Sequence, residues 1–475
     1  MKKKPHHEWE IKHKLLNNKS VDGFQYWNYM RRDMFMSFGD EAAGIDPPFY
    51  REMKEHNKTK GALDKIRKAL IILSPGNGKI KKSDILFLCH GRRQEIDGKM
   101  VSIYTDYIAD HFPDSLTLQR SGKGKYDNSL IYTKNLFFLD NNTAKAHIYR
   151  YLVKYFNPKK YKQVRNHIFN EMKEPFRDLS ENYNLHPDLN DFAERATILF
   201  FLYKYNHKSL SRLLKRISPK VIVEIVGASF YSLIINEIAY ETGIKVIELQ
   251  HGTISPWYPD NITIRQYPQW FFTFGDFWTS SIKPPLPKNR IMSMGFPYHD
   301  IMMEEYPREK QKHDKNTIIF LSSNKYGKEL SFLAAELKKL RPETEVIFKL
   351  HPKEIQGARK RYPALNGSGL RVIEDTKTPL YQLFSESSMQ VGVESTSIYE
   401  GMSFGLKTYI WDIPNAAPLR QLSEKGYAAL FQNAQELSSM IDKDINHNIS
   451  YDAEAFWKSN SMENILNGIK EILAL

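Results

Sequence analysis

The sequence predicts an α/β protein: two Rossmann-like, doubly wound domains in tandem, with a helical extension ahead of the first. Three observations predict it. Val221–Asp260 holds a complete β-α-β unit: an apolar run Val221–Val226, a turn at Gly227, a helix-period segment Phe230–Tyr240 stopped by Gly243, and a second run Lys245–Leu249. From Thr317 to Trp411 the same alternation of short apolar runs and helical periods resumes. Between the two lies 303–315, MEEYPREKQKHDK, which is charged, poor in apolar residues and broken by proline, as a linker is.

Taken in order, residues 1–80 are charged, aromatic and of helical period. Phe24, Trp27, Met30, Met34 and Phe35 share one broad face, which reads as a helical cap on the main body or, with Tyr26, Arg31 and Arg32, as an amphipathic helix on a membrane surface. The first domain is expected over 81–302. It begins with a strand at Asp84–Cys89, followed by a helix from Ser102 to Ile108, strand material at Leu130–Asp140, and helices at Ala144–Phe156 and Pro187–Ile217. The β-α-β unit follows, then strands Gln269–Gly275 and Ile291–Phe296. The second domain is expected over 316–450, with strands at Thr317–Ser322, Glu345–Leu350, Arg371–Glu374, Met389–Val393 and Lys407–Trp411. Helices are expected at Lys328–Leu340, Pro379–Phe384, Ile398–Phe404 and Ala434–Ile441, and a C-terminal helix lies within 451–475.

Composition narrows the function. A chain of 475 residues exceeds one ordinary core, and 41% hydrophobic with 26% charged residues describes a globular protein. The formal net charge of +13 admits nucleic acid, an anionic membrane surface or anionic small substrates as partners. No RNP, zinc-finger or helix-turn-helix pattern accompanies it, so nucleic acid is not expected. The single cysteine, Cys89, excludes an internal disulfide and a multi-cysteine metal site, and its apolar neighbours make it a buried, inert thiol. The basic N-terminus has no apolar region behind it, and no apolar stretch is long enough to span a bilayer. The expected location is the cytoplasm, and the chain can at most lie peripherally on the inner face of the membrane.

Three clusters at strand ends carry the chemistry. Gln250-His251-Gly252-Thr253 closes the β-α-β unit, where ligands bind in open α/β sheets. Glycine after the histidine leaves room for a ligand against the main chain, and an imidazole suits a general base for an acceptor hydroxyl. Lys349-Leu350-His351-Pro352-Lys353 ends a later strand; the proline fixes the turn, and the lysines make a basic pocket for phosphate. Glu394-Ser395-Thr396-Ser397, with Glu400 one turn on, opens a helix whose N–H groups and hydroxyls suit a phosphate, Glu400 suiting ribose hydroxyls. Neither a P-loop nor a GxGxxG fingerprint occurs. At the first strand's end, His90, Arg92 and Arg93 are candidate contacts for an anionic acceptor, and Asp97 is a second candidate base.

The order of the clusters resembles the GT-B fold of nucleotide-sugar transferases, and most closely the capsule and surface-polysaccharide glycosyltransferases of bacteria, over roughly residues 84–425. HGT followed by HP is also similar to CDP-glycerol glycerophosphotransferases, and HP followed by a serine/threonine motif resembles sialyl- and Kdo-transferases that use CMP-sugars. The resemblance implies a metal-independent enzyme without a cofactor, moving a sugar from a CMP-, CDP- or UDP-linked donor to a polysaccharide or lipid-linked glycan acceptor. It implies His251 as base or acceptor contact, with Gln250, Gly252 and Thr253 beside the acceptor. Lys349, His351, Pro352, Ser395, Thr396, Ser397 and Glu400 would hold the donor. Two departures stand out. Ile254-Ser255-Pro256 replaces the lysine that follows HGT in the glycerophosphotransferases, and Asp97-Gly98 only partly matches the acidic base motif of the sialyltransferases. A polyol-phosphate transferase, a UDP-sugar 2-epimerase and a non-catalytic scaffold of polysaccharide assembly are the alternatives.

Overall fold

Short runs rich in β-branched and aromatic residues become strands where helices cover both faces of a sheet. The computed structural model describes residues 5–16, 18–31, 33–34, 80–89, 91, 93–120, 127–254, 266–281, 285–307, 316–413, 417–443 and 452–475.

In the first half, β1 (Ile85–Cys89) is followed by a small hairpin, β2 (Gln94–Ile96) and β3 (Lys99–Val101). β4 (Leu116–Gln119), β5 (Leu136–Phe138), β6 (Val221–Ile225), β7 (Lys245–Leu249), β8 (Trp270–Thr273) and β9 (Ile291–Ser293) then join β1 in a seven-stranded parallel sheet, ordered β5-β4-β1-β6-β7-β8-β9. The order reverses direction between β1 and β6, the mark of a doubly wound sheet. The sequence did not signal β4, four residues bounded by no glycine.

Helices α1 (Pro5–Lys12), α2 (Asp140–Phe156), α3 (Pro158–Tyr183), α4 (Leu189–Ile217) and α5 (Phe230–Thr242) surround this sheet. The sequence reading passed over α3, whose interior holds Pro175, although the Asn157 side chain caps it by accepting from Lys160 N at 3.1 Å. Of the apolar face on the N-terminal extension, Phe24, Trp27, Met30 and Met34 are buried against Phe176, Phe192 and Phe200. Trp27 Nε1 donates to Glu10 Oε1 (2.7 Å), and Arg31 pairs with the same buried carboxylate. That face belongs to the body of the protein, which removes the membrane-helix alternative for it; Phe35 lies outside the described residues.

The helix α6 (Pro297–Glu305) runs into the expected linker, whose residues 308–315 lie outside the described ones. The second sheet follows: β10 (Thr317–Leu321), β11 (Glu345–Lys349), β12 (Arg371–Ile373), β13 (Met389–Gly392), β14 (Lys407–Trp411) and β15 (Ala429–Phe431), all parallel, ordered β12-β11-β10-β13-β14-β15. It too reverses direction, between β10 and β13. α7 (Gly327–Leu340) and α8 (Ser397–Ser403) are among its helices.

The C-terminal helix is interrupted. A short helix Ala453–Phe456 gives way to an extended crossing, and α9 (Ser461–Ala474) packs on the first sheet, with Ile465, Ile469 and Ile472 in the cluster of Ile85, Val221 and Val223. The crossing is fixed from both sides: Trp457 Nε1 donates to Tyr399 O (3.0 Å), and Lys458 N to Phe274 O (2.7 Å). Gly295 makes this possible, since its φ is +90° and a Cβ there would lie 2.2 Å from Lys458 O. Two Rossmann-like sheets with a C-terminal helix returning to the first constitute the two-domain GT-B architecture.

Candidate functional site

Strand ends on the second sheet are tied together by carboxylate hydrogen bonds, from the exposed Glu394 and the buried Glu354. At the reversal point, Ser322 and Ser323 follow β10, with Glu394 beyond β13. Ser323 Oγ donates to Glu394 Oε1 (2.7 Å). Ser322 Oγ donates to Glu354 Oε1 (3.1 Å), as does Tyr362 OH (2.7 Å), while Glu354 Oε2 accepts from His351 N (2.8 Å). Glu354 is fully buried and anchors the His351-Pro352 turn to the neighbouring strand end. The sequence reading missed it. The signal was a glutamate three residues after the histidine, close enough to accept from that residue's N–H.

His351 is exposed at the mouth of this turn, and its Nδ1 accepts from Lys353 N (3.2 Å). Pro352 is exposed beside it. Lys349 is half-buried and donates to Asp375 O (2.6 Å); burial lowers its pKa from the usual lysine range.

The serine/threonine cluster reaches across to the first domain. Thr396 Oγ1 accepts from Thr253 N at 3.1 Å, and a Cβ on Gly252 would come 3.5 Å from the same oxygen. Ser395 Oγ donates to Ser397 Oγ (3.1 Å) and accepts from Ser397 N (3.2 Å). The two motifs, 143 residues apart in the chain, therefore meet between the sheets.

Glu400, on α8, is half-buried, and desolvation pushes its carboxyl up to about 7 while the Tyr381 hydroxyl opposes part of the rise. Behind it, Tyr381 OH and His299 Nδ1 share a buried hydrogen bond of 2.8 Å. The His299 ring stacks on Trp457 at 4.4 Å, and burial pushes its pKa down to about 3, so it is neutral. The charge on Glu400 is set within an aromatic wall that also contains Tyr298.

On the first domain, His251 is exposed just past β7. Its carbonyl accepts from Tyr104 OH (2.8 Å), and the Tyr104 ring stacks on Phe296 at 5.2 Å. Gln250 is buried; its amide donates to Gly252 O (2.9 Å) and its oxygen accepts from Phe274 N (2.8 Å). Gln250 therefore shapes the loop, whereas Gly252 and Thr253 line it.

The residues after β1 divide. Arg93 is buried, and its guanidinium donates to Gln119 Oε1 (2.9 Å) and Asp106 Oδ2 (3.1 Å), so it is committed inside the domain rather than presented to an acceptor. His90 and Arg92 lie outside the described residues. Asp97 is exposed at the tip of the β2–β3 hairpin with φ 48°. Cys89 is fully buried, and desolvation pushes its thiol up to about 12.

No protein-family model matches the chain, and no curated protein does. Among solved structures, the chain is similar to UDP-GlcNAc 2-epimerase from Methanocaldococcus jannaschii in complex with UDP-GlcNAc and UDP, at 13% identity and a TM-score of 0.46, covering 82% of this chain and 99% of that one. It is similar to UDP-GlcNAc 2-epimerase from Neisseria meningitidis bound to UDP-GlcNAc, at 14% identity and 0.47, over 82% and 99%. A glycosyltransferase from Rickettsia africae matches at 11% identity and 0.38, over 83% and 93%.

Proposed function

We propose that the chain is a glycosyltransferase that moves a sugar from a nucleotide-activated donor to a surface-polysaccharide or lipid-linked acceptor. The observation that carries this reading is the bond between Thr253 N and Thr396 Oγ1, which joins the histidine-bearing loop of one domain to the serine/threonine loop of the other. Ligands of doubly wound sheets bind at the carboxyl ends of the strands, beside the point where strand order reverses. In the second domain that point lies between Ser322-Ser323 and Glu394-Ser395.

In this reading the donor's nucleotide lies on the second domain. Lys349, His351, Ser395, Thr396 and Ser397 receive the phosphate beside the Pro352 turn, and Glu400 accepts from ribose hydroxyls. The acceptor hydroxyl attacks the anomeric carbon as the bond to the phosphate oxygen breaks. The His251 imidazole takes the hydroxyl proton, and the electron pair leaves with the nucleotide, whose added negative charge Lys349 and His351 neutralise. Asp97 is the second candidate for the base, and no step calls on a metal or a cofactor.

Thermal-shift binding against CMP, CDP, UDP, GDP and ADP tests the reading. A ligand at 100 times its dissociation constant adds about 2.7 kcal/mol of stability. Stabilisation by one nucleotide class, lost in His351→Ala and kept in His251→Ala, is the expected outcome. In turnover assays His251→Ala should lose roughly a hundredfold to ten-thousandfold in kcat. CDP as the sole ligand would move the assignment to a polyol-phosphate transferase. No response to any nucleotide would overturn it in favour of a scaffold.

A further inference from the structure

We propose that the elbow between α2 and α3 is a docking surface for an anionic lipid bilayer. Twelve large hydrophobic side chains are exposed among the described residues, and six of them lie on the second half of α2: Ile148, Tyr149, Tyr151, Leu152, Tyr155 and Phe156. Tyr155 and Phe156 are 79% and 75% exposed. From Ile148 the spacings of four, seven and eight residues put Leu152, Tyr155 and Phe156 on one side of the helix. Side chains of this size at such exposure, grouped on one helix face, mark an interaction site.

Charge selects the occupant. Residues 141–170 contain no Asp or Glu and seven Lys or Arg. Lys154 and Arg165 turn toward Glu194 on α4, at 2.8 and 3.6 Å. Lys145 projects from the apolar half-turn, while Lys159, Lys160 and Lys162 are exposed on the first turns of α3. A second copy of the chain would bring two acid-free basic faces together, since a twofold interface meets itself. Nucleic acid would be met by the basic and aromatic residues, but the exposed Ile148 and Leu152 would gain nothing from phosphate or base edges. Tyr and Phe beside Lys, over aliphatic side chains, match the headgroup and acyl layers of a bilayer with anionic lipid. The described residues contain no helix long and apolar enough to cross a membrane, so the contact is lateral. This inference stands apart from the transferase reading, because it is tested without nucleotide or acceptor.

The test is co-sedimentation of the full chain with vesicles of phosphatidylcholine alone, or with about one-third phosphatidylglycerol. The expected result is partition at least tenfold stronger onto the anionic vesicles, weakening as salt is raised. Lys159→Gln/Lys160→Gln/Lys162→Gln should weaken binding roughly a hundredfold, near fivefold per lysine. Tyr155→Ser/Phe156→Ser should also release the protein, with the thermal midpoint of both variants kept. The wild-type salt and lipid dependence decides the matter even where a variant fails to fold. Equal binding to neutral vesicles, no binding to either, or variants that partition like wild type would overturn the proposal. A wild-type dimer split by these substitutions would assign the face to a second copy, and retention of a labelled RNA in place of vesicles would assign it to nucleic acid.

Discussion

The main-chain N–H of Thr253 donates to the hydroxyl of Thr396 at 3.1 Å, and this bond runs from a loop of one sheet to a loop of the other. Thr396 stands first before α8, yet its side chain makes no capping bond to that helix. The hydroxyl serves the opposite domain instead. Replacing it with Thr396→Val keeps the shape and removes one acceptor, at a net loss of about 1 kcal/mol. Nucleotide affinity measured by calorimetry should fall roughly fivefold, and Thr396→Ser should restore it. Unchanged affinity in Thr396→Val would show that the closed arrangement does not contribute to binding.

Glu354 bonds Ser322, Tyr362 and the N–H of His351 from a fully buried position. Glu354→Ala leaves three polar groups without their partner, at about 1–3 kcal/mol for each one left buried. We expect a marked fall in urea midpoint and loss of the nucleotide-induced thermal shift. Glu354→Gln, which retains one acceptor, should fall between the two.

The raised pKa of Glu400 fixes the direction of a pH effect. Its folded value of about 7 lies above the ordinary 4.5, so between these values the folded protein holds more protons than the unfolded chain. The contribution is full below the ordinary value and is lost as pH rises through the folded one. Glu400→Gln imitates the protonated form at every pH. The difference in thermal midpoint, Glu400→Gln minus wild type, should therefore grow from pH 4.5 to pH 7. A flat difference would place the titration elsewhere.

Gly295 is held at φ +90° with Lys458 O where a Cβ would stand. Gly295→Ala combines an unfavourable left-handed conformation with a backbone collision, at a cost of about 2 kcal/mol or more. Calorimetry should show a lower midpoint, while Gly98→Ala, also at positive φ but with nothing within 4 Å, should be milder.

The parts of the fold that were legible in the sequence are those whose signal is local. Val221–Ile225, Phe230–Thr242 and Lys245–Leu249 match the expected β-α-β unit within two residues at each end, because apolar runs and Gly243 announce them directly. Less legible were β4, too short to show a period, and α3, where Pro175 and a lysine-rich surface mask the buried stripe of Tyr161, Val164, Ile168 and Met172. The three polar clusters could be located, but their internal wiring could not. Arg93 looks like an exposed strand-end cation until Asp106 and Gln119, 13 and 26 residues away, are seen to take its guanidinium. Glu354 looks like a surface glutamate until Ser322 and Tyr362 fold over it. Bonds between distant residues leave no local pattern.

The return of α9 to the first sheet has a consequence for synthesis on the ribosome. Ile465, Ile469 and Ile472 complete the packing over Ile85, Val221 and Val223, residues translated far earlier. At roughly 5–20 residues per second, the nascent first domain waits on the order of ten seconds or more with that apolar face bare. It is finished only when the second domain has been made and the crossing at Trp457 laid down. A chain released before α9 is made would carry an uncovered patch, so the placement of one helix ties the packing of the first sheet to synthesis of the second domain.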